Sequence, residues 1–273
     1  MKFSTYKIKH PGLARFVQYI LFNYSDNANQ ATVITSYANN NICLGITKEK
    51  ELIGGDRNIK RFHCKGGVQS YLSGLYSLPH HFQVDGFFDE ICIDFTPLGY
   101  YHFFKEPLKT YVLGENLLHE LWGIEGTAFF ETILDTVDLK KRGSMIEKFL
   151  LSRIIEFENP FVEQCLYYMH SDKQFNLASI TKTIQCSEKR ISRTFQRYFD
   201  LLPKDYMKMI RFRKALWMLQ KERISFTGIA HECNYYDQSH FIKEIRLFTG
   251  MTPRQLHSSL HCIEDNVLVS LQS

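Results

Sequence analysis

The sequence holds no run of about 18 apolar residues, so no segment of it reads as a membrane span. It also lacks the plan of a signal peptide. Phe16 to Phe22 is short, is interrupted by Gln18, and has no small-residue cleavage site after it. Both absences point to a cytoplasmic chain. Its seven cysteines, Cys43, Cys64, Cys92, Cys165, Cys186, Cys233 and Cys262, are odd in number and scattered. No C-x-x-C pair occurs, which argues against a disulfide framework and against a zinc site. They read instead as small buried hydrophobes in a reducing compartment. A Gly-rich phosphate loop is missing, and so is any nucleophile, base and acid set. The expectation is a protein that is not an enzyme and carries no cofactor.

What is present is enough chain for two domains with real cores, at 273 residues and 44% hydrophobic. Charge divides it unevenly. Residues 1–159 hold 17 Lys and Arg against 18 Asp and Glu, whereas residues 160–273 hold 16 against 11. A basic excess of that kind is the electrostatic footprint of a domain that binds phosphates. Its densest stretch is Arg211, Arg213, Lys214, Lys221 and Arg223.

The most structured stretch is Ile229 to Pro253, IAHECNYYDQSHFIKEIRLFTGMTP. Ser225 can cap a short first helix whose apolar face holds Ile229 and Ala230. Asn234 falls at a sharp turn, where Asn is the non-Gly residue that best tolerates positive φ. A second helix follows from about Asp237 to Phe248, with Phe241, Ile245 and Phe248 as its buried stripe. Gly250 ends it, and Thr252-Pro253 caps and starts the next helix. This is helix-turn-helix grammar, in which the second helix lies in a DNA major groove.

The stretch has a copy fifty residues upstream. Ser187 to Tyr206 aligns with Asp237 to Leu256 at constant offset: Ile191 with Phe241, Arg193 with Lys243, Phe195 with Ile245, Asp200 with Gly250, Pro203 with Pro253. Ile180 and Ile229 open the two supporting helices. Two copies of one supersecondary unit are implied. Between them Pro203 to Lys221 reads as a long helix, a rigid strut with a reader at each end. On these residues the chain, from about Pro160 to His261, resembles the DNA-binding domain of AraC/XylS-type transcriptional regulators. Departures from that pattern are Asn234 for Gly, Tyr236 for a Ser or Thr cap, Ile245 for Phe, and Leu256-His257 for an aromatic-Arg pair. In the first unit Gln185 and Asp200 replace Gly, and Leu202 replaces the Ser or Thr before Pro203.

The resemblance implies a transcription regulator whose partner is double-stranded DNA, nucleoid-associated when bound. RNA polymerase, a small-molecule effector and a homodimer are its further candidate partners, and no membrane is among them. The outer faces of the reader helices supply the DNA-binding candidates. These are Ser187, Lys189, Arg190, Ser192, Arg193 and Arg197 in the first, and Asp237, Gln238, Ser239, His240, Ile242, Lys243 and Arg246 in the second. Short polar residues near a helix start suit base edges, and basic residues beyond suit phosphates. The alternatives are an ordinary solvated helix face, an interaction adaptor with a degenerate helix-turn-helix domain, and a cupin-like enzyme.

Residues 1–98 read as β-rich. Val33 to Tyr37, Asn41 to Ile46, Gln69 to Tyr76 and Glu90 to Phe95 look like short strands. In the last, Ile91, Ile93 and Phe95 alternate with Cys92 and Asp94, the period of a half-buried strand. Asn39-Asn40-Asn41, Gly54-Gly55-Asp56, Gly66-Gly67 and Asp85-Gly86 are turn signals. A barrel or sandwich of jelly-roll type follows. In the resembled family this half is commonly a cupin-like sensor or dimerisation domain. Tyr71, Tyr76, Phe82, Phe87 and Phe95 could line an effector pocket, although aromatics at strand spacing also read as plain core. A cupin-type metal site would show two His one residue apart, then a Glu. Here His80 and His81 are adjacent and point to opposite strand faces, and His63, His102, Glu90 and Asp94 supply no such spacing, so no metal is expected.

From Gly99 the pattern turns helical. Gly99 to Phe104 and Asn116 to Trp122 read as short helices. Phe129, Phe130, Ile133, Leu134 and Val137 mark a third. Lys140 to Ser144 reads as a turn with Ser144 as the next cap. Ile146, Phe149, Leu150, Ile154 and Phe157 then mark a fourth helix. The last two either form a dimer seam or cover the sheet. The expected class is α+β in two domains. Residues 1–158 form a sensory or dimerisation domain, β-rich to about 98 and helical from 99 to 158. Residues 159–262 form an all-α domain of two helix-turn-helix units joined by a long helix, and 263–273 form a loosely held tail.

Overall fold

The computed structural model describes residues 1–28, 31–54, 59–108, 117–171, 176–221, 225–264 and 267–272. The N-terminal half contributes β1 (Lys2–Lys7), α1 (Pro11–Ala14), β2 (Val17–Ser25), β3 (Ala31–Ser36), β4 (Ile42–Gly54), β5 (Ile59–Ser73), β6 (His80–Asp85) and β7 (Phe88–Phe95). A 3-10 turn at Gly99–His102 leads to α2 (Leu117–Leu134) and α3 (Leu139–Leu151). Seven helices follow among the described residues: α4 (Pro160–His170), α5 (Leu177–Thr183), α6 (Glu188–Phe199), α7 (Pro203–Lys221), α8 (Phe226–Glu232), α9 (Gln238–Thr249) and α10 (Pro253–Ser259). The chain ends in β8 (Leu260–Glu264) and β9 (Val267–Gln272).

The strands make one curled sheet in the order β1-β2-β7-β4-β5-β6-β3-β9-β8. Its edge strands β1 and β8 approach each other, bending it toward a barrel. β7 explains the two faces. Ile91, Ile93 and Phe95 pack outward with Ile20, Phe22, Ile42 and Leu44 beneath the helices. Glu90, Cys92 and Asp94 point inward and are also buried. The period of two is therefore right, but the polar face lines an interior rather than solvent.

Several sequence expectations need correction. Gly66-Gly67 is not a hairpin turn: β5 runs through it, and the register shift between Lys48 and Lys50 marks a β-bulge there. Glu49 opposite takes φ 55° and Gly67 φ 76° to accommodate the extra residues. Lys140 to Ser144 is helix, not turn. Asp138 caps α3 by accepting from the Lys140 and Lys141 N–H groups, and Gly143 is glycine because the Tyr6 ring occupies the space of a side chain. α3 stops at Leu151, so Ile154 and Phe157 lie outside it, and Val137 is exposed beyond the end of α2. Gly123, at φ 64°, breaks α2 into the two helices expected on either side of it, although Asn116 lies outside the described residues.

The tail is not loose. β9 pairs antiparallel with β3, from Val33 opposite Gln272 to Ser36 opposite Val269. Tyr37 Oη and Ser270 Oγ share a 2.6 Å hydrogen bond, and Val269 joins the barrel interior. The signal was an apolar run, Val267-Leu268-Val269, with no partner visible in sequence. The first helical unit shares a continuous core with the N-terminal helices, through Tyr101, Phe157 and Tyr198. The second unit buries Tyr37 and Ala38 in its own core.

Candidate functional site

Each helix-turn-helix unit is built by the same local chemistry. Asn176 caps α5 by accepting from the Ser179 N–H, and Ser225 caps α8 by accepting from the Gly228 N–H. Both supporting helices end on a residue in the left-handed region, Gln185 at φ 50° and Asn234 at φ 58°. The next N–H then donates back across the turn, Cys186 to the Thr181 carbonyl at 3.0 Å and Tyr235 to the Ala230 carbonyl at 2.8 Å. Reader helices start one or two residues later. Ser187 Oγ accepts from the Arg190 N–H, and Asp237 Oδ1 accepts from the His240 N–H at 2.7 Å. The readers end on Asp200 at φ 51° and Gly250 at φ 73°. Ile191, Phe195 and Phe199 bury one reader, and Phe241, Ile245 and Phe248 the other.

The candidate residues lie away from these buried stripes. Lys189, Arg190, Arg193 and Arg197 are exposed on α6, with Ser192 half-buried. Gln238, Ser239, Lys243 and Arg246 are exposed on α9, with His240 and Ile242 half-buried. Some of these groups are already engaged. Ser187 and Asp237 serve as caps, Arg190 lies 4.1 Å over the Phe161 ring, and Gln238 Oε1 accepts from the Thr227 hydroxyl at 2.8 Å. Arg193 makes no hydrogen bond or ion pair among the described residues. Sequence reasoning left out Tyr236 and Leu247, which are 93% and 64% exposed at the two ends of the second reader. The signal for Tyr236 was its place in the cap slot. Asp237 does the capping, so the ring is free to project.

α7 joins the units and is buried nearly all round, through Tyr206, Met209, Phe212, Leu216 and Leu219. Its arginines are not a phosphate surface. Arg211 forks onto Glu244 of α9, with Nε to Oε1 at 3.0 Å, and stacks 4.6 Å over the Tyr235 ring. Arg213 turns into the barrel. Both were expected in a basic stretch, and both are turned inward by the burial of α7. Arg223 lies outside the described residues.

A model of the helix-turn-helix domain family matches residues 180–259. Residues 180–259 are an AraC-type helix-turn-helix domain. Among curated relatives, an uncharacterized HTH-type transcriptional regulator, YidL of Escherichia coli, is 31% identical over 94 residues, 34% of this chain and 32% of that protein. The HTH-type transcriptional regulator ArgR of Pseudomonas aeruginosa is 24% identical over 121 residues, 44% of this chain and 37% of that one. The chain thus spans about a third of the length of the curated relatives it matches. Among solved structures, unsaturated fatty acid bound ToxT from Vibrio cholerae aligns with a TM-score of 0.45 at 12% identity, over 87% of this chain and 94% of that one.

Beside the AraC-type domain, the curled sheet encloses a cavity of about 100 Å³. Tyr71, Tyr76 and Phe82, named above as possible pocket residues, line it. Phe87 and Phe95 do not. Phe87 sits in the β6–β7 turn after Gly86 and is exposed, and Phe95 points to the opposite sheet face against Phe103 and Phe104. The polar lining is Glu90 and Asp94, weighed above only as metal ligands, together with Asn23, Asn41 and Arg213 from α7, which the sequence did not single out for a pocket. Glu90 accepts from Asn23 Nδ2 at 2.6 Å and from the Tyr71 hydroxyl at 2.7 Å, and Asp94 accepts from Asn41 Nδ2. Burial pushes the Asp94 carboxyl up to about 8, against the pull of Arg213 and with the help of Glu90. Burial raises Glu90 as well. His80 stacks on Tyr76 at 4.1 Å, while His81 Nδ1 pairs with Thr35 Oγ1 at 2.9 Å.

Proposed function

We propose that this protein is a sequence-specific DNA-binding transcription regulator. In this reading α6 and α9 enter successive major-groove segments, and residues 1–158 control them. The observation that carries it is the repetition: two capped reader helices, each with a buried apolar stripe and an exposed polar and basic face. The names of the curated relatives support it. Residues Lys189, Arg193, Arg197, Ser239, Lys243 and Arg246 are the groups available for bases and phosphates, and Tyr236 adds a ring at the mouth of the second reader.

The barrel cavity is the natural place for a small-molecule effector. α2 and α3 bury Phe130, Ile133, Ile146 and Leu150 against the sheet, which supports a covering role rather than a dimer seam. From an operator beside a promoter such a regulator would act on RNA polymerase. The test is selection of bound sequences from a random duplex pool, followed by mobility shifts over a salt series. The expected result is an enriched motif with two segments about one helical turn apart, roughly 34 Å. Binding that is indifferent to sequence, or absent at low salt, sinks the reading.

A further inference from the structure

The cavity is unevenly supplied with hydrogen-bonding groups. Two carboxyl side chains, Glu90 and Asp94, are buried on the inward face of β7, one on each side of Cys92. Asn23 and Asn41, both more than nine-tenths buried, face them and spend their amide N–H groups on them. That leaves the Asn23 and Asn41 Oδ1 atoms buried without any hydrogen-bond partner. Leaving such a buried acceptor without a partner is unfavourable, so the site is short of donors. It is also short of positive charge. Arg213 is the cation lining it among the described residues, and it arrives from α7, the helix that joins the two DNA readers. Its own pKa is pulled down by burial, while Tyr19, Tyr76 and Asp94 act on its charge.

We propose that the cavity binds a small primary ammonium compound on Asp94, Glu90 and the free Asn23 and Asn41 oxygens, and that this ligand competes with Arg213 for the carboxylates. The inference rests on the regulator reading and specifies its signal. An ammonium group carries three donors and no acceptor, which is what the site lacks, and its charge favours release of the proton that burial otherwise keeps on Asp94. A cavity of about 150 Å³ accepts a molecule the size of benzene, so this smaller one suits about four to six non-hydrogen atoms. Ligand binding would loosen the hold of the barrel on Arg213, and through α7 it would alter how the two readers are presented.

Titration calorimetry on the full chain tests this with three probes of matched size: ethanolammonium, ethylene glycol and glycolate. Ethanolammonium is expected to saturate one site and to bind at least about tenfold more tightly than either control. Asp94→Asn should abolish that preference, and Arg213→Met, which removes the internal competitor, should tighten binding by about tenfold. Should Arg213→Met fail to fold, the probe order on the wild-type chain and its loss in Asp94→Asn decide alone. A preference for glycolate that disappears with Arg213 overturns the proposal, because Arg213 would then be the receptor. Absence of saturable binding by all three overturns it too. Mobility shifts on the same preparation separate the two readings. DNA binding without ammonium binding strikes this inference only, whereas loss of DNA binding strikes the regulator reading.

Discussion

Gln185 holds a backbone conformation that suits glycine, at φ 50°, and its long side chain is less suited to it than the short polar side chains of Asn234 and Asp200. Leu202 is a second local fault. It stands at the start of α7, where its carbonyl accepts from the Asp205 and Tyr206 N–H groups but its side chain caps nothing. The equivalent residue of the second unit, Thr252, makes a full capping box with Gln255. The repeat thus carries its own control. Gln185→Gly and Leu202→Thr are each expected to stabilise by about 0.5–1 kcal/mol, read as a higher denaturant midpoint at unchanged slope. Unchanged midpoints for both would show that the first unit has relaxed around them. On the proposed DNA face, Arg193 is exposed one turn into its helix, with the reach to grip a guanine by two bonds. Arg193→Ala should cost about 1–3 kcal/mol on the selected operator and relax discrimination at one position. Lys243→Ala should weaken all sequences alike and lower the salt slope by about one. Competition mobility shifts measure both, and an unchanged ratio of specific to non-specific affinity in Arg193→Ala would be the adverse outcome.

Elements with a local rule were legible in the sequence, and elements whose rule lies in a distant partner were not. α5, α6, α8, α9 and α10 start and stop where Asn, Ser, Asp, Thr and Gly dictate. α3 was misjudged because Gly143 looks like a turn until Tyr6, far away in β1, is seen filling its place. Gly143→Ala should therefore destabilise by about 1–3 kcal/mol although alanine is the better helix former. A thermal melt at or above that of the wild type would refute the close-packing account. Arg142 was read as part of the same turn. It is buried instead, held by Asp89 at 2.7 Å through both arms and by the Leu134 carbonyl, so it ties α3 to the sheet and to the end of α2. The candidate site divided in the same way. The reader faces follow from helical period, whereas the polar cavity depends on a sheet that curls until both faces of β7 are dry.

For the whole molecule, the interior carboxylates set a pH dependence. Asp94 keeps its proton in the folded chain up to about pH 8, and an unfolded Asp loses it near about 3.9. Between those values the native state binds more protons, so stability is greatest at the acid end of the window and falls as pH rises toward 8. Arg213, Glu90, Tyr19 and Tyr76 face the same space, and the Glu90 shift has the same sign. Asp94→Asn should flatten the decline in Tm between pH 5 and 8, and equal slopes in variant and wild type would contradict the assignment.

β9 also reaches across the molecule, since it closes on a strand made near the opposite end of the chain. During translation β3 leaves the ribosome about 240 residues before its neighbour, a delay on the order of ten to fifty seconds at usual elongation rates. The sheet is left with an open edge for all of that time, while the two helix-turn-helix units are completed first. Nascent chains arrested before Val267 should therefore expose a sticky strand to chaperones, and release of β9 would be the event that covers it.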